Sequence, residues 1–205
     1  MITYDTEEEQ VEAIKRWWKE NGKSVIGGIV LGLAVVGGLK GWQQYTKGRA
    51  ETAGGYYASF TVSAQGGDIK PALEQGQRLV SEFGKSVYAV FSALEMAKLQ
   101  YAEGNSDGAI EQLQWVMDNA AQKPLQALAQ LRMTRVLVDQ GELQKASELI
   151  SSSEGFFASE YAVITGDIAV ANNDNVAARA AYTSALTQNV ANAVLVRIKL
   201  ADLGE

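Results

Sequence analysis

The side chains that most often carry chemistry are missing from this 205-residue chain, which has no Cys and no His. Without Cys there is no thiolate nucleophile, no disulfide and no thiolate-built zinc site. Without His the usual general base and the usual transition-metal ligand are gone. Catalysis would rest on carboxylates alone. Glu103 with Asp107, and Asp139 with Glu142, are the paired acids. Both pairs fall at predicted helix ends, where charges are ordinarily solvated, so they predict no enzyme unless they converge in a dry cleft. The glycines between Gly27 and Gly41 do not form a phosphate loop, because no strand precedes them and no Gly-Lys-Ser/Thr follows. No cofactor or metal is expected.

Composition narrows the classes further. The chain is 47% apolar with two Pro, which is too apolar for a disordered protein. Residues 50–205 hold 18 acids and 11 bases, a net of −7. A domain of that sign repels phosphate backbones, which argues against a nucleic-acid partner. Length allows one medium domain plus an anchor.

That anchor is Ser24–Trp42, a run of 19 residues in which Lys40 is the only charge. As a helix it is roughly 28 Å long, against a hydrocarbon core of about 30 Å. Trp17 and Trp18 precede it, and Trp42 and Tyr45 close it. Amphipathic rings at both ends suit two membrane–water interfaces, and Lys23 and Lys40 have stems long enough to reach either headgroup layer. The run therefore reads as a membrane span rather than a core helix. A cleaved signal peptide fits less well, because six acids precede the run and no small-x-small cleavage site follows Leu39. Within it, Gly28 with Gly32 and Gly37 with Gly41 put small residues one turn apart, spacing that lets another helix approach closely in lipid.

The 23 residues ahead of the span begin with acids, Asp5 and Glu7–Glu9. Val11, Ile14, Trp17 and Trp18 then fall at helical spacing among Lys15, Arg16, Lys19 and Lys23. This predicts a short amphipathic segment at the headgroups, or simply the flank that starts the span. Four bases lie before the span and three (Lys40, Lys47, Arg49) near its end, so charge alone leaves the orientation open.

Behind the span a repeat is visible. Gly67, Gly104 and Gly141 are 37 residues apart, and Asn173 follows after 32. Five residues beyond each stands an alanine: Ala72, Ala109, Ala146 and Ala178. Four further on stand Gly76, Leu113, Ile150 and Tyr182. Gly or Asn supplies the left-handed residue that ends one helix, and the small Ala lets the next pack closely. The expectation is an all-α array of about four helix pairs, near 52–66 and 70–83, 88–103 and 107–119, 125–140 and 143–151, 158–172 and 175–188, with a capping helix near 191–203. Phe83-Gly84, Ser86, Pro124 and the Ser151–Ser153 run supply stop and start signals.

This pattern resembles the tetratricopeptide repeat. Gly166, Asn173, Ala178, Tyr182 and Ala185 carry the motif best, followed by Ala97, Gly104, Ala109 and Leu113. The third copy has Thr134 at the small position, and the first has Phe60 there with Gly76 at the large one. In such α-solenoids the first helices of the pairs line a concave face. Counted from the motif, that face takes Tyr57, Phe91, Leu94, Lys98, Tyr101, Leu128, Leu131 and Arg135, with Thr61, Val138, Val163 and Asp167 beside them. The set is largely apolar and aromatic, and suits an extended apolar peptide or a partner's helix. The same 3.6-residue stripe also arises from side chains packed between helices.

The segment Gln10-Val-Glu-Ala-Ile-Lys-Arg-Trp-Trp-Lys-Glu-Asn-Gly-Lys23, followed by the Gly-rich span and these repeats, resembles the YfgM family of Gram-negative bacteria. The resemblance implies three parts: a cytoplasmic N-terminal segment over 1–23, a transmembrane helix over 24–45 and a periplasmic repeat domain over 46–205. It implies an inner-membrane, non-enzymatic ancillary subunit of the SecYEG translocon. In that role the protein works with the membrane-anchored chaperone PpiD on emerging, still unfolded polypeptides. It also links the cytoplasmic end to restraint of an envelope stress regulator. A scaffold that joins partners without holding client is the alternative.

Overall fold

The computed structural model describes residues 7–153 and 155–204. Asp5, in the acidic start of the N-terminal segment, lies outside them. The described residues form nine helices and no strand: α1 (Glu7–Gly66), α2 (Ile69–Phe83), α3 (Val87–Ala102), α4 (Ser106–Asn119), α5 (Lys123–Asp139), α6 (Leu143–Ser151), α7 (Ala158–Ala171), α8 (Asn175–Thr187) and α9 (Ala193–Asp202). The chain divides into two compact units, Met1–Glu51 and Thr52–Glu205.

The first unit is the N-terminal part of α1. Its apolar side chains find no core. Ile26, Leu33 and Leu39 are exposed, as are Val11, Ile14, Trp17 and Trp18 upstream. In water so continuous an apolar surface is a liability; in lipid it is the favourable state. Among the described residues α1 is the one helix long and apolar enough to cross a membrane. Aromatic pairs flank the run. The Trp17 and Trp18 rings lie 6.4 Å apart, and those of Trp42 and Tyr45 lie 6.2 Å apart.

The second unit is a row of antiparallel helix pairs, as the repeat spacing predicts. Local geometry explains the turns. Gly67, Gly104 and Gly141 stand at φ of 81°, 79° and 79°, and Asn173 at 60°. Only Gly reaches this region without strain, and Asn tolerates it. The next amide then reaches back five residues. Asn105 N donates to Gln100 O at 2.8 Å, Glu142 N to Leu137 O at 2.8 Å and Asp174 N to Ala169 O at 2.9 Å. These bonds satisfy carbonyls that the ending helix would otherwise leave unpaired. Side chains cap α4, α8 and α9: Asn105 accepts from Gly108 N, Asp174 from Ala177 N and Asn192 from Leu195 N, whereas α2 and α6 start without a side-chain cap. Asn189, at φ 59°, ends α8 in the same way and was not part of the repeat read from spacing.

Packing follows the small positions. Ala72, Ala109, Ala146 and Ala178 are all fully buried, so no larger side chain holds the paired helices apart. Three cores result. The first gathers Phe60, Leu79, Met96, Leu113 and Val116. The second holds Leu131, Leu137, Tyr161, Ile164 and Ile168, and the third Tyr182, Ala185, Val190 and Val196. Each large apolar side chain so buried stabilises the fold by about 1.5–3 kcal/mol.

Candidate interaction groove

The groove positions expected from the motif separate into three groups. The first is an aromatic patch on α1 and α3. The Tyr57 ring lies 6.4 Å from that of Phe91 and 5.4 Å from that of Tyr88, and Phe91 is exposed. Aromatic pairs tilted against each other at such distances hold one another in place. The second group is inside. Leu94 and Leu131 are only 5% and 3% exposed and belong to the first and second cores, and Leu128 packs partly buried against the first. The reason is position: α3 and α5 are flanked by neighbours on more than one side, so an apolar stripe there meets another helix rather than solvent. Arg132 reinforces this contact by donating to the Leu94 carbonyl at 3.3 Å.

The third group lines a cleft. Tyr101 and Arg135 face it, together with Val138, Val163 and Asp167. The cleft encloses about 650 Å³ between the ends of α3 and α5, α7 and α9, within the range of roughly 300–1,000 Å³ that ligand clefts occupy. Lys98 is not part of it; its ammonium is held by Glu95 at 2.7 Å on the surface of α3.

The cleft is tied together across helices. The Tyr101 hydroxyl donates to Asp139 Oδ2 at 2.8 Å, joining α3 to α5. That hydrogen bond is the main reason the Tyr101 hydroxyl holds its proton above the ordinary tyrosine range. Asp167 accepts from Lys199 Nζ at 2.6 and 2.7 Å and from the Tyr182 hydroxyl at 2.7 Å, joining α7, α8 and α9. Burial, and then the bond to Asp167, push the Tyr182 hydroxyl well above the tyrosine range. Burial likewise raises Tyr161, while Thr134 and the Arg135 charge pull it the other way.

Asp139, Glu160, Leu195 and Lys199 also line this cleft, and the repeat motif did not select them. Asp139 was visible only as a helix-end acid. Lys199 reaches Asp167 from 32 residues away, a closeness that no local pattern encodes. The paired acids do not converge. Asp139 lines this cleft, while Glu142 and Asp107 line a second hollow of about 780 Å³ between α4, α5 and α6. Glu142 is already bridged to Lys145 at 3.2 Å. Among the described residues no three His, Cys, Asp or Glu side chains group as metal ligands would.

In the apolar run, a Cβ added to Gly28, Gly32, Gly37 or Gly41 meets nothing within 4 Å. At about 100° per residue, the nine positions from Gly28 to Gly37 turn the helix by about two and a half revolutions, which leaves Gly37 half a turn away from Gly28. The two glycine pairs therefore occupy opposite faces of α1.

The chain matches the tetratricopeptide repeat-like domain family over residues 15–205. It is 32% identical over 189 residues to the ancillary SecYEG translocon subunit of Haemophilus influenzae, covering 90% of this chain and 91% of that one. The chain belongs to this family. The family's Escherichia coli protein of the same name is 27% identical over 99% of both chains. Its Aggregatibacter actinomycetemcomitans counterpart is 30% identical over 98% of this chain and all of that one. No solved structure matches the chain. The match to the family extends through the apolar run as well as the repeats.

Proposed function

We propose that this chain is a non-enzymatic ancillary subunit of the SecYEG translocon. Residues 1–23 lie in the cytoplasm, residues 24–45 cross the inner membrane once, and residues 46–205 form a periplasmic repeat domain. There it works beside a PpiD-like chaperone and receives polypeptides as they leave the channel. Near-full-length similarity to translocon subunits carries the reading. An exposed apolar helix joined in sequence to a helical repeat domain supports it. Tethering raises the local concentration of the domain around an emerging chain, so weak contacts suffice. The acidic exterior keeps the domain soluble. Phe91 and Tyr101 supply exposed aromatic surface for transient contacts.

Photo-cross-linkers at Phe91 and Tyr101, in cells, test this. Adducts with secretory chains or with the chaperone are expected. Labels that react with lipid or water alone would contradict it. A second reading, a scaffold that holds partners but no client, draws on the burial of Leu94 and Leu131, which leaves less apolar lining than the motif predicts. It requires that the protein capture the chaperone yet fail to suppress aggregation of unfolded chains.

A further inference from the structure

We propose that the cleft between α5, α7 and α9 selects polypeptide segments in which Lys or Arg stands next to apolar side chains. The inference rests on the polypeptide-binding reading and names the class of segment that the site prefers.

Two features of the cleft meet in such a segment. Its apolar surface comes from Tyr101 and Leu195, both exposed, and from Val138 and Val163, both half-buried. Its acids come from Asp139, Glu160 and Asp167. Asp167 is already balanced by Lys199. Asp139 and Glu160 are not: their partners among the described residues are the neutral hydroxyls of Tyr101 and Ser159. Arg135 is the remaining cation of the cleft and forms no ion pair within 4.0 Å among the described residues. Three acids against two bases leave the cleft net negative, inside a region whose own net is −7.

A hydroxyl bond leaves a carboxylate its full charge and spare acceptor capacity. A visiting ammonium or guanidinium would therefore gain a charge-assisted bond without first breaking an internal ion pair. An acidic visitor would have Arg135 to meet, with Asp139 and Glu160 against it. Neutral apolar segments would gain the walls and nothing from the rim. Long-range attraction to the acidic domain adds to the encounter rate of a basic segment.

The test uses the full chain in nanodiscs and three fluorescent peptides of equal length and apolar content. They differ only at two positions, which are Lys, Gln or Glu. The Lys peptide is expected to bind about fivefold or more tightly than the Gln peptide, and added salt is expected to shrink that difference. Asp139→Asn keeps an acceptor for Tyr101 while removing the charge. Combined with Glu160→Gln it should bring Lys-peptide affinity down to that of the Gln peptide, with thermal melting reporting that the fold is intact. Equal binding of the three peptides, or tightest binding of the Glu peptide, overturns the charge selection but leaves polypeptide binding standing. Binding of none of them overturns both.

Discussion

A Cβ placed on Gly166 of α7 would lie 2.3 Å from Cε1 of Tyr182 on α8. The Tyr182 ring thus occupies the space that any other residue at 166 would need. The first repeat makes the same contact with the sizes exchanged. There Phe60 is the large partner and Gly76 the small one, and a Cβ on Gly76 would meet Phe60 at 3.1 Å and Met96 Sδ at 2.5 Å. The Phe60/Gly76 copy is degenerate as a motif yet complementary in volume.

Gly166→Ala should therefore cost about 1–3 kcal/mol of stability, because a buried ring ringed by helices has nowhere to move. Gly76→Ala should cost less, because the atoms nearest its new methyl belong to a flexible methionine that can swing aside. Denaturant unfolding of the two variants gives the order directly. A larger loss at Gly76 would contradict the packing described.

The Asp167 bridge has its own signature. Asp167→Ala strips the partner from Lys199 and Tyr182 together and should cost about 1–3 kcal/mol. The pH dependence has a definite sign. Tyr182 keeps its proton in the folded protein above the ordinary value of 10.0, at which the unfolded chain releases it. Its contribution is thus complete below 10.0 and is lost as pH rises from there toward the folded value. Tyr182→Phe should be less stable near neutral pH but lose less stability between neutral and strongly alkaline conditions. Melting curves across that range, with tyrosinate absorbance as a second reading, decide it.

The turns are legible in the sequence because their chemistry is local. A left-handed residue and a small residue five positions on mark the helix pairs before any tertiary contact is known. The groove is less legible. On α3 the same stripe includes Phe91 and Tyr101, which are exposed, and Leu94, which is buried. Periodicity finds an apolar face but does not say whether solvent or another helix meets it. Lys199 and Leu195 enter the cleft from the capping helix, and only the folded array brings them there. The paired acids show the converse: three residues apart in sequence, Asp139 and Glu142 line different hollows.

The opposite placement of the glycine pairs makes a separable prediction. Replacing Gly28 and Gly32 with Leu fills one face of the span without adding charge. Membrane insertion should persist, since Leu favours it, while co-isolation with SecYEG should fall. Leu at Gly37 and Gly41 fills the other face and serves as the comparison. If co-isolation survives with Gly28 and Gly32 both replaced, that face does not hold the translocon.

We propose that one span holds the repeat domain on the far side of the inner membrane. Protease added to cells whose outer membrane alone has been opened tests it most directly. The region after Glu51 should be cleaved while the N-terminal segment stays protected. A repeat domain that resists until the inner membrane is also breached would contradict it.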